Sequence, residues 1–176
     1  MPPVTGIFIL AELSGPAAET VRALQLRYDP KLANSTRPHV TVAGSSGMGP
    51  IDRDTTAEEL RRVLAPIAAE TAPLVLPFGR PQRFMQTEIV SLPLDPHGPL
   101  RALHERIKTS GLRFRAPRFS FSPHVTISFY PTLTPARARE LLALRVDDPA
   151  EIRSLAAYRH RDPLPPVRLV EVELTG

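Results

Sequence analysis

Two short stretches decide the fold: Pro38-His39-Val40-Thr41-Val42 and Pro123-His124-Val125-Thr126-Ile127. Each opens with a proline, which is tolerated at the first residue of a strand. Each then alternates β-branched residues with His and Thr, the pattern of a half-buried strand. On a strand, residues i and i+2 share a face, about 6–7 Å apart. His39 therefore projects beside Thr41, and His124 beside Thr126, while the intervening valines turn toward a core.

The two stretches end two copies of one longer unit. The first is a strand at Gly6–Leu13, then Gly15-Pro16 opening a helix to about Tyr28, then a polar connection from Asp29 to Pro38. The second runs from a strand at Glu88–Leu94 through Gly98-Pro99 and a helix over Pro99–Thr109 to His124. Gly15 precedes His39 by 24 residues and Gly98 precedes His124 by 26, so the spacing repeats as well. Two copies make a duplication rather than a solenoid. The expectation is a bilobal α+β architecture of duplicated strand–helix–strand units, residues 1–176 as one domain, with a central cleft carrying both His-x-Thr pairs.

Elsewhere, strands are expected at Val40–Ala43, Leu74–Phe78 and Val125–Tyr130, and near Arg153–Tyr158 and Val167–Leu174. A helix capped by Thr55-Thr56 should run to about Glu70, with Pro66 kinking or dividing it. Pro135–Leu144 reads as a short helix. In the first helix, Val21, Leu24 and Leu26 are the apolar positions.

A cleft holding two imidazoles and two hydroxyls suits phosphodiester cleavage. One His activates water and the other protonates the leaving oxygen, since neutral and charged imidazole coexist near pH 7. Thr41 and Thr126 donate hydrogen bonds to the non-bridging phosphate oxygens. The chain has no cysteine, which excludes a thiol nucleophile, a disulfide framework and a cysteine zinc site. No carboxylate stands at ligand spacing from either His, so no metal and no cofactor are expected. Two strand-start histidines bonded only to nearby backbone, or a two-histidine metal site, are the other readings of the same residues.

These motifs resemble the 2H phosphoesterase superfamily, and within it the LigT-like group of RNA 2′,3′-cyclic phosphodiesterases and 2′-5′ RNA ligases. PHVTV and PHVTI, with histidines 85 residues apart, match that family's signature, and the element order agrees over nearly the whole chain. The resemblance implies hydrolysis of a nucleoside 2′,3′-cyclic phosphate to a 2′-phosphate, and in some members ATP-independent 2′-5′ ligation. Carried over, His39 and His124 are the acid–base pair and Thr41 and Thr126 hold phosphate; the family leans toward His124 as base. A nucleotide- or RNA-binding module with negligible turnover is the non-enzymatic alternative. The chain departs from the family in two places. Val42-Ala43-Gly44-Ser45 replaces a Leu-x-Phe-Leu-Gly run, and Ser128-Phe129-Tyr130 stands where other members carry an Arg.

The implied partner is RNA with a 2′,3′-cyclic phosphate end, or a cyclic nucleotide. The formal net charge is only +4, although 20 of the 22 basic residues are arginine, the better bidentate phosphate partner. The stretch Gly111–His124 interleaves Arg113, Arg115 and Arg118 with Phe114, Phe119 and Phe121. That pattern reads either as an RNA-contacting strip or as an edge strand with an apolar face. Arg118, Arg83 (beside Phe84) and Tyr130 are the further substrate-binding candidates. His97, His104 and His160 lack a partner pattern and are expected at the surface. No apolar run reaches membrane-spanning length, and the MPPVTG start shows no secretory signal. A cytoplasmic monomer is expected.

Overall fold

The structure, a computed structural model, describes residues 5–95, 97–130, 133–161 and 164–176. The first four residues of the MPPVTG start lie outside that range. Eight strands form one sheet in the order β3-β7-β1-β2-β6-β5-β4, with β8 also paired to β7. In chain order these are β1 (Gly6–Ser14), β2 (His39–Ala43), β3 (Leu74–Leu76), β4 (Gln82–Arg83), β5 (Val90–Pro93), β6 (His124–Ser128), β7 (Ala150–Arg161) and β8 (Leu164–Glu173). The helices are α1 (Gly15–Tyr28), α2 (Pro30–Ser35), α3 (Ala57–Ala69), α4 (Pro99–Lys108) and α5 (Pro135–Ala143).

The duplication is visible in the strand order. β1 and β2 are antiparallel neighbours in the first copy, and β5 and β6 in the second. The copies meet where β2 pairs β6 antiparallel through the single pair Val40–Val125. The expected lobes are thus two halves of one antiparallel sheet, related by a local two-fold through that pair. Both valines are fully buried, as are Ile127 and Val42.

The helices cross over beneath the sheet. α1, from the first copy, packs against β6 of the second, and α4 packs against β2 of the first. Each crossing carries a hydrogen bond from a buried side chain to a motif strand. Gln25 Nε2 donates to the Thr126 carbonyl at 2.9 Å, and His104 Nδ1 donates to the Val42 carbonyl at 2.8 Å. Such bonds hold the motif strands in register from below.

Several expectations need correction. The Asp29–Pro38 connection contains the short helix α2, because the Asp29 carboxylate accepts from Leu32 N at 3.0 Å and Pro30 occupies the first turn. Pro66 does not divide α3. It lies in the last turn, where its ring removes a single helical bond. In α1 the buried positions are Ala17, Val21, Gln25 and Tyr28, and Leu26 is exposed. His104 is not at the surface. It is completely buried, stacked on Phe121 at 3.7 Å between ring centroids. Gly47 (φ +74°) allows this, since a Cβ there would lie 2.3 Å from His104 Nε2. Among the described residues, no helix is long and apolar enough to cross a membrane.

Candidate active site

The exposed sides of β2 and β6 form the centre of the site. In both strands burial alternates identically, with His and Thr half-buried and the intervening residues fully buried. Counting outward from Val40–Val125, antiparallel register sets His39 against Thr126 and Thr41 against His124, all on one face. The four residues expected to work together are therefore adjacent.

The histidines are held alike. His39 Nδ1 donates to the Arg37 carbonyl at 2.7 Å, and His124 Nδ1 donates to the Ser122 carbonyl at 2.7 Å. A carbonyl only accepts, so Nδ1 carries the hydrogen in both rings and Nε2 is left to exchange a proton. Burial pushes both imidazoles below their ordinary value, and the backbone bonds pull in the other direction. Depressed values keep neutral imidazole, the base form, populated near neutrality.

Their surroundings differ. Phe84 presents its ring to His124, with centroids 4.9 Å apart at 77°. His39 instead shares a pocket of about 170 Å³ with Leu10, Glu12, Arg37, Tyr158 and His160. His160 was expected at the surface. It is half-buried and in contact with the Phe8 ring at 4.2 Å, and burial lowers its pKa, with the His39 charge adding to the effect. Glu12 is the one charged residue in the GIFILAELS strand, and alternation with Phe8 and Leu10 puts it on the His39 side. The lone carboxylate in an apolar strand is visible in the sequence, but the residue it faces is not. The placement of His160 depends on β7 pairing with β1 and has no local signature.

The remaining candidates are dispersed. Tyr130 follows the second motif strand, its backbone N–H bonded to the buried Asp29 carboxylate at 2.9 Å and its ring beneath the Lys31 ammonium at 4.0 Å. Arg83 is exposed on β4, and it is the adjacent Phe84 that reaches His124. Arg118 lines an open depression of about 450 Å³ with Arg101, Glu105, Lys108, Phe119 and Phe121, whose lining includes none of the four central residues. Of the Gly111–His124 phenylalanines, Phe121 is buried and Phe119 is exposed. Before His124 the stretch lies along residues 46–52 through isolated bridges (Phe114 to Ile51, Phe119 to Ser46) and scattered backbone hydrogen bonds, so it is not a regular edge strand. Among the described residues, no cluster of three or more His, Asp or Glu could hold a metal ion.

This arrangement is a duplicated antiparallel sheet with paired His-x-Thr strands at its centre, and comparison with known proteins places it. Residues 13–163 match the 2′-5′ RNA ligase superfamily, and the chain belongs to that family of 2H phosphoesterases. A Geobacillus kaustophilus protein described as a candidate phosphoesterase is 36% identical over 102 residues, which span 57% of this chain and 56% of that protein. The fold matches Escherichia coli LigT in its complex with phosphate (TM-score 0.57, 14% identity, 98% of each chain covered). It matches the same protein with 3′-AMP at TM-score 0.56 and 14% identity, over 99% of this chain and 100% of that one.

Proposed function

We propose that this chain hydrolyses a nucleoside or RNA 2′,3′-cyclic phosphate to a 2′-phosphate. The observation that carries the reading is the pair of equivalently held imidazoles on adjoining strands, each with Nε2 left over and each accompanied by a threonine hydroxyl. Nε2 of neutral His124 takes a proton from water as its oxygen attacks phosphorus. The bond from phosphorus to the 3′ oxygen breaks, and protonated His39 gives its proton to that oxygen. Thr41 and Thr126 donate to the non-bridging oxygens, where charge accumulates in the transition state. Solvent then returns both rings to their starting forms. Ligation to a 5′-hydroxyl would be the same chemistry with an alcohol as the partner, and the family's description favours it as the second reading.

The test is a panel of 2′,3′-cyclic mononucleotides and cyclic-ended oligonucleotides, alone and with a 5′-hydroxyl fragment, in EDTA. A 2′-phosphate product supports the proposal. A longer product without hydrolysis supports ligation, and nucleotide binding without either product supports a binding module.

A further inference from the structure

Two imidazoles related by a local two-fold have no intrinsic reason to divide into acid and base. Their cross-strand neighbours break the symmetry. β1 sets Glu12 directly opposite His39, whereas β5 sets Pro93 directly opposite His124. The Glu12 side chain is only 11% exposed, and both its oxygens are engaged. The Tyr158 hydroxyl, from β7, donates to Oε1, and the Arg37 guanidinium lies 3.8 Å from Oε2. Tyr158 stays protonated throughout the working range, its pKa pushed up to about 12 by burial and by that carboxylate.

The geometry assigns to Glu12, anchored by Tyr158, the part of a positioning residue that reserves the proton-donor role for His39 by holding a negative charge across the strand from its ring. This rests on the phosphodiesterase reading above. Glu12 itself transfers no proton. It lowers the cost of the protonated ring at His39, against the effect of burial, and the residue directly opposite His124 is an uncharged proline.

The other groups facing His39 do not cancel the effect. His124, from β6, and His160, from β7, oppose its protonation only when they are themselves charged, and burial favours the neutral form of both. Tyr158 is neutral. On His39's own side, the Arg37 carbonyl accepts the Nδ1 hydrogen and so supports the charged ring, while the Arg37 guanidinium, 78% exposed, is largely screened by water. For His39, burial lowers the pKa, and Glu12 acts against it. Among the described residues, no carboxylate acts on His124 in this way.

The experiment is a histidine-resolved NMR titration of the resting protein, run beside kcat/KM profiles, for wild type, Glu12→Gln and Tyr158→Phe. Both substitutions keep shape. Glu12→Gln should lower the His39 midpoint by about one pH unit and leave His124 in place, since an opposite charge a few ångströms away is worth roughly that. The alkaline limb of the rate profile, where His39 loses its proton, should move down by the same amount, with the acid limb unchanged. Tyr158→Phe should act in the same direction and more weakly. An unmoved His39, or equal shifts in both histidines, would overturn the assignment. Because the titration needs no turnover, a chain that cleaves no cyclic phosphate yet shows the selective His39 shift would overturn the phosphodiesterase reading and uphold the link between Glu12 and His39.

Discussion

At the scale of single residues, the site depends on side chains that a two-residue period places together. His39 with Thr41, and His124 with Thr126, were legible because alternation is local and needs no knowledge of the fold. Their neighbours from other strands were not. Glu12 meets His39 only because β1 pairs β2, and Tyr158 reaches Glu12 from 146 positions along the chain. Phe84 was read as the neighbour of Arg83, and the structure makes it the aromatic contact of His124. If the threonines bind the phosphate, Thr41→Val and Thr126→Val should each lower kcat roughly 10²-fold, the usual cost of one lost oxyanion donor. Steady-state kinetics on a cyclic nucleotide checks this; wild-type kcat in either variant would remove that hydroxyl from the site.

At the scale of elements, the motif strands are held by groups from the opposite copy. Gln25 and His104 tie down β6 and β2 from below. Asp29 does the same at the exit of β6. Its buried Oδ2 accepts from Phe129 N at 2.8 Å and Tyr130 N at 2.9 Å, while Oδ1 caps α2. In the sequence Asp29 looks like the start of a polar connection, because the N–H groups it serves lie 100 residues away. His104 looked like a surface helix residue for a similar reason, its acceptor being 62 positions distant. The Gly-Pro helix starts, by contrast, were legible, since a proline in the first turn is a local signal. Asp29→Ala leaves three N–H groups without that acceptor and should cost about 2–4 kcal/mol. Urea denaturation checks the value, and a change below about 0.5 kcal/mol would show that the carboxylate is replaceable there.

At the scale of the whole molecule, the duplication explains both the symmetry of the site and its limits. One continuous sheet brings the two motifs together through a single residue pair, so the two histidines and the core share the same strands. Four histidines, His39, His104, His124 and His160, have values lowered below 6.5, with burial the largest cause in each. Burial disfavours their charged forms in the folded chain, while the unfolded chain takes up protons at the ordinary value. The stability they contribute is therefore present above pH 6.5 and is lost as pH falls from there through the folded values. Thermal unfolding should show a steady Tm down to about pH 7 and a decline over the interval that begins near 6.5 and extends below it. A Tm that stays level across that interval would mean that the histidines do not govern acid stability. The central claim, two-imidazole catalysis without metal, is tested most directly by the turnover of His39→Ala and His124→Ala on a 2′,3′-cyclic phosphate in EDTA. The account predicts a bell-shaped profile and full activity for the wild type, with each variant slowed roughly 10²–10⁴-fold. Near-wild-type turnover by either variant, or loss of wild-type activity to EDTA, would contradict it.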